Sequence, residues 1–243
     1  MTVHYRTQGF ILKQDNLKEA DQLFIIYTKD FGKLKILGRA IRKIKAKLRG
    51  NSQLFSLLEL EFIQGKSYKT LTDAIVIDKF SEIHKNLEKL KITYQIGEVL
   101  DNLIKGEEAD EKIWKLLSET FDRLNDLPFI IYHLPLIYYY FFWNLVSVLG
   151  YHPQLNNCVL CGKKLEPQKL SFIPEQGGII CSNCLKDKKE TIDISPETIK
   201  VLRLILNKDW LIIRKLKRIS ESNLNNLENI SDNFLNFILS QIN

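Results

Sequence analysis

Four cysteines, set in two pairs of identical spacing, constrain the fold of this chain more than any other feature. The pairs are Cys158-x-x-Cys161 and Cys181-x-x-Cys184, with nineteen residues between them. A Cys-x-x-Cys turn brings two sulfurs close enough to share one ion, and two such turns supply the four thiolates that complete the tetrahedral shell of Zn²⁺. The spacing therefore predicts a structural zinc site, because no coordination position is left open for a substrate.

The residues between the two pairs have the pattern of a β-hairpin. Short apolar runs at residues 170–173 and 179–180 flank the turn residues Gly177 and Gly178. This pattern is typical of a zinc ribbon, in which the metal stabilises a domain too small for a sufficient core. Two disulfides are the alternative, but they need an oxidising compartment, and residues 1–10 lack the apolar segment of a secretory signal. Redox chemistry needs only one pair, so two matched pairs favour metal.

The positive charge of the chain is concentrated in its first third. Residues 1–80 carry 15 Lys/Arg and 8 Asp/Glu, a net charge of +7, so the other 163 residues sum to −1. This excess predicts an anionic partner for the first third, either nucleic acid or a membrane surface. The most apolar run, residues 136–149, is only fourteen residues long. A bilayer-spanning helix needs more, so we expect a cytoplasmic protein that does not cross a membrane.

Five short strands are predicted in the first eighty residues. They lie at residues 9–12, 23–28, 34–37, 58–62 and 68–77, and a turn is predicted at residues 30–33. Residues 58–62 alternate strictly between apolar and charged side chains, which indicates a strand with one buried face. Five antiparallel strands in about eighty residues suit a small closed barrel, for which the OB-fold is the leading candidate.

A basic run lies inside the predicted barrel. Residues 33–49 contain no acid and eight cations, which are our candidate nucleic-acid-binding residues: Lys33, Lys35, Arg39, Arg42, Lys43, Lys45, Lys47 and Arg49. Loops between OB-fold strands commonly carry nucleic-acid contacts. A solvated loop is the alternative, but eight like charges repel one another and favour an external anion. Phe31, Phe55 and Tyr68 are either stacking platforms for bases or core residues.

Helical periodicity replaces the strand pattern after residue 77. Ser81 is the predicted N-cap of the first helix, residues 129–149 are a predicted buried helix, and Ser195-Pro196 is a predicted helix start. The predicted fold class is multidomain α+β, an N-terminal five-stranded OB-fold β-barrel followed by an α-helical domain with an inserted four-cysteine zinc ribbon. The predicted boundaries are 1–79 for the barrel, 80–154 and 191–243 for the helical domain, and 155–190 for the ribbon.

Several motifs are similar to those of a known family. They are Leu149-Gly150-Tyr151-x-Pro153 before the first cysteine pair, Gly177-Gly178 before the second, Gly38-Arg39-Ala40 before the basic run, and Leu71-Thr72-Asp73-Ala74. With these motifs the chain resembles, over nearly its whole length, the bacterial DNA repair and recombination mediators of the RecO family.

This resemblance implies a function in DNA repair after DNA damage and in homologous recombination. Members of the family bind single- and double-stranded DNA and anneal complementary strands. With RecR they help to load RecA onto DNA coated by the single-stranded-DNA-binding protein SSB, whose acidic tail they bind in the helical domain. The resemblance also implies a nucleoid-associated location in the cytoplasm, and it places DNA contacts in the basic run after Gly38.

Enzymatic motifs are missing from the sequence. It has no Gly-rich phosphate loop ending in Lys-Ser/Thr, no His-Glu-x-x-His and no Gly-x-Ser-x-Gly. We therefore predict a protein that is not an enzyme and assign no catalytic residues. Two other classes remain as alternatives, a nucleic-acid-processing enzyme and a protein-protein adaptor that uses the zinc ribbon. The salt dependence of DNA affinity separates an adaptor from a DNA-binding protein.

Overall fold

The computed structural model describes residues 3–17, 19–43, 52–126, 134–166, 169–185, 191–213 and 219–242. The chain divides into two compact units, residues 1–129 and 130–243. Among the helices described, none has the length and apolarity needed to cross a bilayer.

The first unit begins with five strands. They are β1 (His4–Leu17), β2 (Asp21–Thr28), β3 (Gly32–Gly38), β4 (Leu57–Ile63) and β5 (Lys69–Asp78). Four of the five predicted strands lie within these bounds, and the fifth differs only at its ends, so the sequence pattern found each strand and underestimated most of their lengths. The difference between predicted and observed length is largest in β1, where polar residues extend the strand beyond the apolar run that identified it.

The five strands close into a barrel in the order β1-β2-β3-β5-β4. Strand β1 is long enough to pair with both β2 and β4, and its register shifts between Ile11 and Lys13. Such a bulge bends a strand and increases its twist, as closure requires. Parallel pairing of Ile36 with Lys69 and of Leu37 with Thr70 joins β3 to β5. The OB-fold barrel predicted from the sequence is confirmed.

The barrel core follows from the alternation of its strands. In β4, the side chains of Leu58, Leu60 and Phe62 are buried while their neighbours are half-buried. Ile41, from the turn after β3, packs into the same core. Burial of each such side chain contributes about 1.5–3 kcal/mol, so Ile41 anchors the middle of the basic run to the barrel.

Three helices complete the first unit: α1 (Ser81–His84), α2 (Leu87–Leu103) and α3 (Glu111–Asp126). The predicted N-cap role of Ser81 is wrong, because Phe80 holds the cap position in a left-handed conformation without a side-chain cap bond. The cap of the long helix is Asn86, whose Oδ1 accepts from the Lys89 N–H at 3.0 Å. Phe80 is buried against Phe10, so a tertiary contact decides where the helical region begins.

Helices α2 and α3 cover one side of the barrel. The ring of Phe10 lies 4.9 Å from that of Phe121, and the ring of Phe55 lies 4.7 Å from that of Tyr94. The Tyr27 hydroxyl donates to the backbone carbonyl of Asp110 at 3.4 Å, and burial raises its pKa to about 12. The barrel and these helices therefore share an apolar cluster that includes Phe10 and Phe55, which are not part of the barrel core.

The second unit is built around α4 (Leu134–Val148). Almost every side chain of α4 is buried, which confirms the predicted central helix, although its predicted residues 129–133 lie outside the described residues. The Trp143 ring stacks on Phe234 at 5.3 Å, and its Nε1 donates to Ser231 Oγ at 3.0 Å. Phe234 and Ser231 belong to α7 (Glu221–Ile242), so this indole joins the two helices by packing and by a hydrogen bond.

The rest of the second unit combines a small sheet with two helices. Strands β6 (Leu170–Ile173), β7 (Gly178–Cys181) and β8 (Ile192–Ile194) form a sheet in the order β7-β6-β8, which contains the predicted hairpin. Helices α5 (Pro196–Leu206) and α6 (Trp210–Ile213) follow. The predicted cap at Ser195 is confirmed, because its Oγ accepts from the Thr198 N–H at 2.9 Å.

Candidate metal centre and nucleic-acid interface

The two cysteine pairs meet at one point. The four sulfurs of Cys158, Cys161, Cys181 and Cys184 all lie within 4.8 Å of one another, and the Cys161 and Cys181 sulfurs are 3.8 Å apart. Four sulfurs at about 2.3 Å from one Zn²⁺ in a tetrahedron are separated by about 3.8 Å. All four thiols are free of disulfide bonds. The predicted clustering of the cysteines is confirmed, and the disulfide alternative does not describe this fold.

Short backbone turns hold the sulfurs in place. The Gly162 N–H donates to the Cys158 carbonyl at 2.9 Å, and the Val159 N–H donates to the Ile179 carbonyl of β7 at 3.0 Å. Gly162 has a φ of 72°, a left-handed conformation that costs glycine nothing. The other pair sits at the end of β7 and in the turn after it. The hairpin register therefore sets the distance between the two pairs.

The electrostatics of the cluster favour a thiolate at Cys158. Burial raises the pKa of this thiol, but hydrogen bonds from the N–H groups of Cys161, Cys181 and Leu160 outweigh burial and lower it to about 6. Hydrogen bonds with the sulfurs of Cys161 and Cys181 hold the proton of Cys184 and raise its pKa to about 12. Thiols crowded in this way compete for protons, and a divalent cation would remove the competition by binding all four as thiolates.

Four cations of the basic run are exposed on the barrel. Lys35 points outward from β3, and Arg39, Arg42 and Lys43 follow in the turns after it. Within the described ranges, no ion pair joins any of these four to a carboxylate. The remaining candidates Lys45, Lys47 and Arg49 lie outside the described residues.

Lys33 differs from the other candidates because its charge is already paired. Its Nζ lies 2.9 Å from Asp101 Oδ1 and donates to the Asp101 carbonyl at 2.6 Å, and its side chain is 10% exposed. The partner belongs to α2, 68 residues along the chain. Because Asp101 already pairs this charge, we leave Lys33 out of the nucleic-acid interface. The sequence gives no local sign of the contact.

Hydrogen bonds fix the turn that carries Arg39, Arg42 and Lys43. The Ala40 N–H donates to Asp21 Oδ1 at 2.7 Å, and the Arg42 N–H donates to the Ala20 carbonyl at 3.0 Å. Arg42 also donates from Nη1 to the Glu19 carbonyl at 3.2 Å. Together with buried Ile41, these bonds present the cations on an ordered turn whose position is set by the loop between β1 and β2.

On the β1–β4 face of the barrel, two acids of β4 have side-chain partners in β1. Arg6 Nη2 lies 2.9 Å from Glu59 Oε2, and His4 Nδ1 lies 2.5 Å from Glu61 Oε1. Hydrogen bonds from His4 and Thr72 lower the pKa of Glu61. Each of these contacts joins residues more than fifty positions apart, which is why the sequence did not reveal them. Glu59 and Glu61 therefore have partners other than the cations on and after β3.

Of the three aromatic candidates for stacking, one is exposed. Phe55 is fully buried, and Phe31 packs edge-on against Phe62 at 5.6 Å. Tyr68 is 38% exposed. Core packing thus accounts for two of the three rings, and Tyr68 alone among them is placed where a base could stack.

Comparison with known proteins assigns the chain to a family. The model for the N-terminal part of recombination protein O matches residues 1–80, and the model for its C-terminal part matches residues 84–241. The chain belongs to the recombination protein O (RecO) family. The family resemblance that the motifs indicated is therefore confirmed.

Curated RecO proteins are similar over most of the chain. A DNA repair protein RecO from Dehalococcoides mccartyi is 31% identical over 213 residues, which cover 88% of this chain and 82% of that protein. A DNA repair protein RecO from Roseiflexus sp. is 28% identical, with 98% of this chain and 82% of that protein covered. One from Acetivibrio thermocellus is 26% identical, with 96% and 90% covered.

Proposed function

We propose that this chain is a non-enzymatic DNA-binding mediator of repair and recombination. It binds single- and double-stranded DNA, anneals complementary strands and, with RecR, helps to load RecA onto SSB-coated DNA. The observation that carries the proposal is the group of exposed cations Lys35, Arg39, Arg42 and Lys43, which have no carboxylate partner in the described part of the chain. The curated relatives, named as DNA repair proteins, support it.

Phosphate is the partner that this arrangement favours. A nucleic-acid backbone carries condensed counterions, and cations without a carboxylate partner release these ions when they neutralise its phosphates. Glu59 and Glu61 on the β1–β4 face contact Arg6 and His4, so these two carboxylates do not neutralise the cations on and after β3. Phosphate contacts carry no sequence information, which suits a protein that must act on any DNA.

The proposal also includes a structural Zn²⁺ bound by the four cysteines. Four thiolates fit zinc, which is four-coordinate and tetrahedral in structural sites, and they leave no position for a reactive water. The metal supplies no chemistry to DNA and holds the ribbon together. RecR and the acidic SSB tail are proposed partners on the basis of the family alone, and we assign no residues to them.

The test of DNA binding is the dependence of affinity on salt. If six cations contact phosphates, log K for duplex DNA falls with log salt at a slope of about −5. The variant Lys35→Gln/Arg39→Gln/Lys43→Gln should reduce the magnitude of this slope by up to about 3 and weaken binding equally for all sequences. Arg42 is kept because it also bonds the Glu19 carbonyl.

A matched control removes the same charge elsewhere. Lys91, Lys112 and Lys115 are exposed on α2 and α3, and their replacement by Gln should leave the slope unchanged. Strand annealing with SSB-coated DNA, measured with and without ATP, then tests the mediator function. A slope near zero for the wild type, or annealing that requires ATP, would contradict the proposal.

A further inference from the structure

A polar cleft of about 590 Å³ lies beside the basic turn, at the rim of the barrel. The carboxamides of Gln14 in β1, Gln22 in β2 and Gln53 before β4 line it, together with Ile41 and Arg42. It belongs to the first compact unit. Its polar lining distinguishes it from the apolar interior directly beneath.

The strand register explains why this cleft exists. Gln14 lies opposite Phe24, and Phe24 is a core residue. Residues directly opposite each other, and residues two apart on one strand, share a face of the sheet. Gln14 and Gln22 therefore continue the inward face of the barrel beyond the end of its core. Gly38, opposite Gln22, adds no side chain there, since a Cβ would lie 2.8 Å from the Phe24 ring.

The chemistry of the lining fits a nucleobase. Each carboxamide offers two N–H donors and one acceptor, the combination with which Gln reads the edge of a base. Gln22 donates from Nε2 to Asn16 Oδ1 at 3.2 Å, which fixes its orientation. The side chains of Gln14 and Gln53 are exposed, so their hydrogen-bonding groups are accessible to a ligand.

The charges at the cleft favour a base over a phosphate inside it. Glu19 lines the cleft, and its carboxylate repels phosphate but accepts a hydrogen bond from the amino group of a base. Arg42 lies at the same cleft and is exposed. A nucleotide entering here therefore places its base among the carboxamides and its phosphate at the guanidinium.

We propose that this cleft binds one unpaired base of single-stranded DNA, with Gln14 and Gln53 bonding its edge. The inference rests on the DNA binding proposed above and adds a preference for single strands. A base inside a duplex is stacked, and its pairing edge is occupied, so it does not enter the cleft. Duplex DNA then uses the cations alone, whereas a single strand uses the cations and the cleft.

The experiment compares DNA strands that differ only in their bases. Affinity is measured by fluorescence anisotropy for a labelled mixed-sequence single strand, for a strand of equal length with abasic sites at its centre, and for a duplex. The wild type should bind the intact strand about tenfold more tightly than the abasic strand. Gln14→Ala/Gln53→Ala should remove this difference and leave the affinity for the abasic strand, the affinity for the duplex and the salt slope unchanged.

Gln8→Ala is the matched control, since Gln8 is exposed on the same strand and does not line the cleft. It should keep the tenfold preference. Gln53→Ala alone, at an exposed position outside the strands, provides the test if the double variant unfolds. Equal wild-type affinity for intact and abasic strands, or a preference that survives the Gln variants, overturns the inference and leaves DNA binding standing. Absence of salt-dependent binding to any strand overturns the proposed function itself.

Discussion

At the scale of single residues, the start of β3 depends on groups far along the chain. Gly32 has a φ of 63°, and a Cβ at this position would lie 2.2 Å from the Glu108 carbonyl oxygen. The next residue, Lys33, is paired with Asp101. The sequence predicted a turn here correctly, because Gly at a turn is a local signal. It could not reveal that the turn packs against the loop between α2 and α3.

Replacement of Gly32 by Ala should therefore destabilise the first unit. We expect Gly32→Ala to lower the free energy of unfolding by about 2–4 kcal/mol, because the new methyl group meets backbone and the residue is held at positive φ. Gly106→Ala is the control, since the nearest atom to its Cβ would be 3.9 Å away, and it should change stability by less than about 1 kcal/mol. Denaturant titration of both variants is the measurement, and equal midpoints would refute the argument.

At the scale of elements, the sequence showed the local patterns of the strands and of the cysteines. It did not show which residues are buried by tertiary contacts. Short apolar runs and the alternation at residues 58–62 predicted the strands of the barrel, and cysteine spacing predicted the cysteine cluster, because each pattern is set by neighbours in the chain. The helix start at Asn86 was missed although Asn is a favoured N-cap residue, since Ser81 offered a similar signal. Burial of Phe80 places Phe80 at the cap position in front of Ser81, and this burial depends on the fold. The burial of Phe55 also depends on the fold, so the local sequence did not reveal it.

Removal of one sulfur from the four-cysteine cluster tests the proposed zinc site. Cys158→Ser should reduce bound Zn²⁺ from one per chain, measured by elemental analysis, and expose the ribbon to limited proteolysis. Structural zinc contributes on the order of 10 kcal/mol in isolated finger peptides. The loss here should be smaller because β6 and α4 also share apolar contacts such as Phe172 with Trp143. Asn183→Ala, an exposed position between the ligands Cys181 and Cys184, should keep the metal; full zinc in Cys158→Ser would exclude the site.

At the scale of the molecule, the family models and the compact units divide the chain at different residues. The family models meet between residues 80 and 84, near the boundary predicted from the sequence after residue 79. The compact units instead divide at residues 129 and 130. Composition and periodicity change where strands give way to helices, which the sequence shows. The burial of Phe10 and Phe55 under α2 and α3 joins the barrel to those helices, and no change in pattern marks it.

The stability of fragments should depend on whether they contain the whole first compact unit. A fragment of residues 1–129 should unfold in one cooperative transition, whereas a fragment of residues 1–79 should expose Phe10, Tyr27 and Phe55, bind the dye ANS and aggregate. Burial of each such ring contributes about 1.5–3 kcal/mol, a large share of the 5–15 kcal/mol that stabilises a typical domain. Calorimetry and dye fluorescence are the measurements, and a sharp transition for the shorter fragment would show that the barrel is independent.

The pairing of β3 with β5 has a consequence for how the barrel moves. It consists of two residue pairs, while the other strand pairs are longer. Lys69, part of this seam, also lies 2.7 Å from Glu107, an attraction that salt screens. Local stability is not uniform across a structure, so we expect the barrel to open first along this seam, where the fewest backbone hydrogen bonds must break. The same strand, β3, leads directly into the cationic turn. We therefore expect high ionic strength to loosen the scaffold of that turn as well as its proposed binding to a polyanion.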